Sequence, residues 1–359
     1  MGILKKINGI RGVLMRRMTD GIRLSRPARD INFTSKADIK RILICRPNHR
    51  LGNLLLVTPL LQDVIETFPL AKIDLFVKGS VSPSLFKNYT NINRIIQLPQ
   101  RPWGSLWKYL SGWLAIRMNR YDLVINAVNH SASGRLSTKF ANSKCKFLGD
   151  IDENIQLRFP DHEHMAKYPV YSFRKNLLAM GFNASKRRVA FLDLKLSSDE
   201  IAAGKRTADA LVQNDKKIIC LFTYATDNKC YSEVWWMKFY ERLKSEYEDY
   251  NIIEILPVEN VSQISFLPPS FYSKNVREIG GLIANAEVFI GADSGMMHLA
   301  SATKTPTVGL FQNANTCIYE PYNPGSVAIN TGISDCDECM RILNRVLPRS
   351  LALRLQEQI

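Results

Sequence analysis

The chain has 359 residues, 46% of them hydrophobic, and a formal charge of +15. That length and apolar content suit two globular units, each able to bury its own core, and exclude a disordered or collagen-like chain. No run of eighteen or more uncharged apolar residues occurs, and the N-terminus lacks the apolar region and small-residue cleavage site of a signal peptide, so a cytoplasmic protein is expected. The seven cysteines are an odd number, and Cys45 and Cys220 fall in apolar strand-like runs where a reduced thiol behaves as a small hydrophobe, so no disulfide framework is indicated.

The first fifty residues hold thirteen Lys or Arg against three Asp and carry +10 of the charge. Within this leader, Ile3, Ile7, Ile10, Val13, Leu14 and Met18 recur at helical spacing among Lys5, Lys6, Arg11, Arg16 and Arg17, a basic amphipathic pattern suited to an anionic membrane surface. A helix packed on the protein's own body and an unstructured tail are the alternatives. Nucleic acid is not an expected partner, because no aromatic residues interleave with these basic ones.

Beyond the leader, residues 41–45 read as a buried strand, a loop runs through Gly52, and 53–68 read as one helix with Val57, Leu60, Leu61, Val64 and Phe68 on a single face. Strands are expected at 72–77, 94–98 and 121–126, with a Trp-rich helix at 106–118 between the last two. The stretch 150–198, with one helix at 171–180, reads as a connection. A second series follows: strand 217–222, helix 232–249, strand 252–256, a short helix before Ala286, strand 288–291, a helix from Ser294 and strand 307–311. Alternation of this kind specifies parallel sheets with helical crossovers, an α/β fold of two Rossmann-like halves. Ligands of such sheets bind beyond the carboxyl ends of the strands, so two such halves facing each other would form a central cleft lined by the loops at 46–52, 126–135, 223–231, 258–263 and 292–295.

The most informative of these loops is Gly291-Ala292-Asp293-Ser294-Gly295-Met296-Met297-His298. It places an acid, a hydroxyl, a glycine and free backbone N–H groups at a helix N-terminus, where an anion is favoured. Asp293 would repel a phosphate, so its side chain suits a sugar hydroxyl or a helix cap, leaving the Ser294 and Gly295 N–H groups for the anion. Lys229, in the loop Ala225-Thr226-Asp227-Asn228-Lys229, is a cation at a strand end and fits a leaving diphosphate, on which negative charge grows as a sugar bond breaks. His298, one turn into its helix, suits packing or a phosphate contact, and Glu259 is an acid just after a strand.

Two ordered segments then resemble one family. Arg46-Pro47-Asn48-His49-Arg50-Leu51-Gly52-Asn53 with Thr58-Pro59-Leu60, and Asp293-Ser294-Gly295-Met296-Met297-His298-Leu299-Ala300 with Pro306 and Phe311, are similar to the signatures of glycosyltransferase family 9, the ADP-heptose:lipopolysaccharide heptosyltransferases. Residues 121–125 and 164–181, with Arg174, Leu177 and Leu178, extend the likeness. The resemblance implies a GT-B architecture with an acceptor domain at 41–185, a nucleotide-sugar domain at 186–335, the leader at 1–40 and a C-terminal helix at 336–359. It implies an inverting transferase that moves heptose from ADP-heptose onto a lipopolysaccharide core or related surface glycan. Such a protein would be cytoplasmic and peripheral on the inner membrane, and would need no cofactor or metal. A family 9 transferase using another nucleotide sugar, and a non-catalytic glycolipid-binding homologue, are the alternatives.

Residue by residue, the resemblance maps phosphate ligands onto Thr226 and Lys229 and a ribose contact onto Glu259. The donor set is completed by Asp293, Ser294, Gly295 and His298. Arg46, Asn48, Arg50 and Arg135 are the expected acceptor contacts, since arginine forks match phosphate and carboxylate groups. Asn53 stands where the family commonly has the aspartate that serves as general base, and an amide binds no proton near neutral pH. Three readings are open: His49 takes the proton while Asn53 orients the acceptor; an oxocarbenium-like transition state dispenses with a strong base; or the protein is catalytically weak. The D-x-D triplets at 150–152 and 335–337 and the pair Cys336 and Cys339 lie outside the expected sheet loops and are not read as metal sites.

Overall fold

The computed structural model describes residues 35–101, 105–128, 131–143, 145–150, 152–226, 229–312, 316–332 and 337–346. The amphipathic leader pattern at 3–18 lies outside the described residues. In chain order the elements are β1 (Arg41–Arg46), α1 (Leu51–Leu55), α2 (Thr58–Thr67), β2 (Lys72–Lys78), α3 (Ser82–Leu85), β3 (Ile92–Leu98), α4 (Leu106–Met118), β4 (Leu123–Asn126), α5 (Ala132–Phe140), β5 (Cys145–Phe147), α6 (Glu153–Arg158) and α7 (Tyr168–Ala179). They continue with α8 (Ser198–Val212), β6 (Lys217–Phe222), α9 (Glu233–Glu246), β7 (Tyr250–Ile255), β8 (Ser270–Phe271), α10 (Val276–Ile283), β9 (Val288–Ala292), α11 (Gly295–Ala302), β10 (Thr307–Phe311), α12 (Thr316–Tyr319) and β11 (Val327–Asn330). A last helix, α13, covers 337–346.

The chain divides into two compact units. The first holds residues 1–49, 59–83 and 89–190; the second holds 50–58, 84–88 and 191–359. The first is built on a five-stranded sheet of order β3-β2-β1-β4-β5, the second on a six-stranded sheet of order β11-β10-β9-β6-β7-β8. Every paired strand runs parallel to its neighbour. In each sheet the order reverses beside the first strand, between β1 and β4 and between β6 and β9, and these are the switch points where loops leave in opposite directions and open a crevice.

The strands are near-continuous apolar runs because both faces are covered. In the first unit Leu43, Cys45, Phe76, Ile116, Tyr121 and Val124 form a buried cluster. In the second, Ile219, Leu221, Val288, Ile290 and Leu310 pack beneath Trp236, Phe239 and Leu243 of α9. Burial pushes the Cys45 thiol up to about 11 and the Cys145 thiol up to about 12, so both act as core hydrophobes.

Several buried charged groups inside each unit are paired. In the first, Arg174 lays its fork on buried Asp63 (Nη2 to Oδ1 2.6 Å, Nε to Oδ2 3.0 Å) and donates to the Arg187 carbonyl at 2.7 Å. Asp74 accepts from Arg94 and from the Tyr121 hydroxyl, each at 2.9 Å. In the second unit buried Arg277 of α10 grips Glu200 at 2.5 and 2.6 Å and donates to the carbonyls of Leu194 and Lys195. Glu200 also closes the capping box of α8 through the Ser197 N–H, and Arg277 holds its carboxyl at about 2.

Three expectations need correction. Residues 53–68 are two helices, α1 and α2. Pro59 has no N–H to continue the ladder, and the Thr58 hydroxyl donates instead to the Leu55 carbonyl at 2.7 Å, ending the first helix. Helix α8 occupies a stretch to which the sequence reading assigns no element; its buried residues are Gly204 and Ala208, which give no apolar stripe. The short strands β5, β8 and β11 at the sheet margins also escape the periodicity.

Candidate active site

In the second unit the switch point brings together the loops that follow β6 and β9. Lys229, from the first, reaches Asp293, from the second, with Nζ 2.5 Å from Oδ2. The two residues are 64 positions apart in sequence and meet because β6 and β9 are paired neighbours, Phe222 opposite Gly291. Tyr319 of α12 lies under the same ammonium, its ring centre 5.7 Å from Nζ, and the His298 ring lies 6.1 Å from the Tyr319 ring. A cation over an aromatic face is held electrostatically by the ring quadrupole. Sequence reasoning missed Tyr319, which carries no motif and is placed only by the course of the chain after β10.

Ser294 is the N-cap of α11, yet its side chain makes no cap hydrogen bond and its buried hydroxyl oxygen has no partner. Asp293 therefore does not cap this helix; its carboxylate is committed to Lys229. The first N–H groups of α11, beginning at Gly295, have no carbonyl within the helix and leave a partial positive charge at the strand end. Thr226 is exposed at the start of the β6 loop and Glu259 is exposed on the turn after β7.

The N-terminus of α11 is also where α1 packs. A Cβ added to Gly52 would lie 2.5 Å from His298 Cδ2 and 3.3 Å from Gly295 Cα, and one added to Gly295 would lie 3.1 Å from Leu51 Cβ. Only two glycines permit this approach, which sets Asn53, half-buried on α1, in the same compact unit as Lys229, Asp293 and His298. His298 is 5% exposed, so its ring is fixed between α1 and α12.

The two loops that flank β6 and β7 share a root. The Thr223 hydroxyl donates to Glu254 Oε1 at 2.6 Å and accepts from the Gln263 N–H at 3.2 Å. Glu254 is fully buried, its second carboxyl oxygen has no partner, and burial raises its pKa. A carboxyl so placed favours its neutral form, a point the sequence reading did not raise.

In the first unit Arg46 ends β1 and is buried, and Asn48 takes a hydrogen bond on its carbonyl from the Lys78 N–H at 3.2 Å. His49 is exposed and lies against Gly79, where φ is +82° and a Cβ would come within 2.9 Å of His49 Cβ. Asn126, at the end of β4, is buried, its amide donating to the carbonyls of Val128 and Leu148 at 2.7 and 2.8 Å. Arg135 forms an ion pair with Asp150 at 2.9 Å. Asp152 caps α6 and pairs with Lys175, so both carboxylates of the 150–152 triplet are engaged by the protein. Asp337 pairs with Arg242. Among the described residues no group of three or more His, Cys, Asp or Glu is arranged to hold a metal ion. Asp335 and Cys336 lie outside the described residues.

Two parallel α/β units, each with a switch point, are the doubly wound arrangement of the GT-B fold. Residues 273–348, which include β9, α11 and α12, match the family model "Glycosyltransferase family 9 (heptosyltransferase)". Lipopolysaccharide heptosyltransferase 3 of Escherichia coli K12 is 24% identical over 298 residues, covering 78% of this chain and 85% of that protein. Among solved structures, a glycosyltransferase family 9 protein from Veillonella parvula superposes with a TM-score of 0.68 at 14% identity, over 87% of this chain and 98% of that one. E. coli heptosyltransferase WaaC with ADP superposes with a TM-score of 0.61 at 15% identity, over 85% and 99%. The likeness to these structures establishes the fold.

Proposed function

We propose that this protein is an inverting glycosyltransferase that moves heptose from ADP-heptose onto a lipopolysaccharide core or a related surface glycan. The observation that carries the reading is the meeting of Lys229 and Asp293 at the switch point of the second sheet, against the N-terminus of α11. In this reading the ammonium of Lys229 and the N–H groups of Ser294 and Gly295 take the charge that grows on the departing diphosphate, while Asp293 turns to a sugar hydroxyl. Thr226 and His298 complete the phosphate contacts and Glu259 takes the ribose. In this reading residues 186–335 serve as the nucleotide-sugar domain and 41–185 as the acceptor domain, although 50–58 and 84–88 belong to the second compact unit; Arg46, Asn48 and Arg50 take anionic groups of the acceptor. Arg135 joins them by exchanging Asp150 for the acceptor's anion.

Asn53 orients the acceptor hydroxyl, and His49 accepts its proton. The protein works in the cytoplasm, on the inner membrane, with the leader at 1–40 as one point of attachment. Among the described residues no helix is long and apolar enough to cross a membrane. The ADP bound to E. coli heptosyltransferase WaaC supports an adenosine diphosphate sugar as donor.

The amide at Asn53 favours a second reading, a glycolipid-binding homologue without turnover. The deciding experiment measures ADP release from ADP-heptose with a truncated lipopolysaccharide acceptor, for the wild type, Lys229→Ala and Asn53→Asp. Release that falls by about a hundredfold in Lys229→Ala supports the transferase. Donor binding with no release for any acceptor, and no gain in Asn53→Asp, replaces it with the binding reading.

A further inference from the structure

Helix α4 of the first unit is amphipathic in an unusual way. Its inward face is Tyr109, Gly112, Trp113 and Ile116, which join the core cluster. On the outer side Leu106, Trp107, Leu110, Leu114 and Met118 are all exposed, Trp107 at 82% and Met118 at 79%. At about 100° per residue these five positions fall within an arc of about 120° on the helix, an apolar stripe that Arg117 enters near its C-terminal end. Phe140, itself 40% exposed at the end of α5, extends it, stacked edge-on against Trp113 at 5.6 Å with Arg117 over its ring at 6.0 Å.

The charge around the stripe has one sign. Neither α4 nor α5 contains an Asp or Glu, while Lys108 and Lys139 are exposed beside it and Arg117 is exposed within it. The nearest acid in the intervening chain, Asp122, is turned inward to accept the N–H groups of Lys40 and Arg41, both at 2.9 Å. A second copy of the chain docking here would set these cations against each other, and the leader, at +7 over residues 1–40, would be repelled too. An anionic lipid surface satisfies both features at once: acyl chains take the Leu and Met side chains, the headgroup layer takes Trp107, and lipid phosphates take the basic rim.

We propose that the outer face of α4 is a membrane-docking surface for anionic lipid, separate from the leader and independent of the donor and acceptor assigned above. The test uses the full chain, with no nucleotide sugar, and vesicles of phosphatidylglycerol mixed with phosphatidylcholine or of phosphatidylcholine alone. Wild type is expected to co-sediment with the anionic vesicles. The triple variant Trp107→Ser, Leu110→Ser, Leu114→Ser is expected to bind them at least about tenfold more weakly. These side chains are exposed, so its thermal unfolding should match the wild type. A polarity-sensitive dye on Met118→Cys should shift to the blue with anionic vesicles and not with neutral ones. Wild-type affinity in the triple variant, or an unshifted dye, would overturn the proposal by leaving attachment to the leader. A wild-type dimer that the triple variant dissociates, with no vesicle binding by either, would overturn it in favour of self-association.

Discussion

Replacing Gly52 by Ala should injure the candidate site more than it injures the fold. The added methyl would sit 2.5 Å from His298 Cδ2, about 1 Å inside ordinary carbon contact, with the Gly295 backbone at 3.3 Å on its other side. His298 is buried and cannot swing away, so α1 and the N-terminus of α11 must separate. Overpacking of this size costs about 1–3 kcal/mol, and the better helix propensity of Ala returns about 0.5–1 kcal/mol. The net is a loss of about 1–2 kcal/mol, or a Tm lower by roughly 2–8 °C for a unit of this size. A displacement of about 1 Å at groups that position a reacting sugar is worth up to about a hundredfold in rate. Thermal unfolding followed by circular dichroism gives the first quantity, and ADP binding by calorimetry with turnover gives the second. Gly204→Ala is the control: its Cβ would lie 2.0 Å from the Gly281 carbonyl carbon, where backbone meets backbone between α8 and α10, so it should cost more stability while the folded fraction binds ADP normally. Wild-type melting and turnover in Gly52→Ala would refute the reasoning, as would an equal loss of ADP affinity in Gly204→Ala at matched stability.

The Glu200 carboxyl, held at about 2 by Arg277 against an ordinary 4.5, contributes about 3 kcal/mol that is present above pH 4.5 and is lost as pH falls from 4.5 towards 2. Urea unfolding of Glu200→Gln should show a smaller pH dependence in that window. Removing the other partner, as Arg277→Met, leaves a part-buried carboxylate and is expected to cost about 3–5 kcal/mol at pH 7, read from the same urea titration. Glu254 has the opposite sign: its raised pKa makes ionisation costly, so the stability it permits is full below 4.5 and declines as pH rises through the folded value. Glu254→Gln keeps an oxygen for Thr223 and should lose less stability than the wild type as pH rises above 4.5; a steeper loss would contradict the raised pKa.

Strand and helix identities are local properties, and the chain declares them locally. The apolar runs of β1, β6, β9 and β10 and the repeat of α4 are read within one or two residues of their observed limits, since each is set by side chains a few positions apart. The loop residues Lys229, Asp293, Ser294 and Gly295 are legible for the same reason: a cation, an acid and a glycine stand where strands end. The resemblance to family 9 added the expectation that these residues act together. What the tertiary structure decided is proximity. The pairing of Lys229 with Asp293, the Tyr319 ring beneath them, the seating of α1 on α11 through Gly52 and Gly295, and the Glu200 to Arg277 clasp join residues tens to hundreds of positions apart. So does burial: Asn126 and Glu254 look like ordinary polar residues until the sheets enclose them, and the outer face of α4 looks like core although its side chains stand exposed among the described residues. Local sequence sets dihedral preference and periodicity, but which polar group loses water, and which apolar face keeps it, depends on packing that only the folded chain supplies.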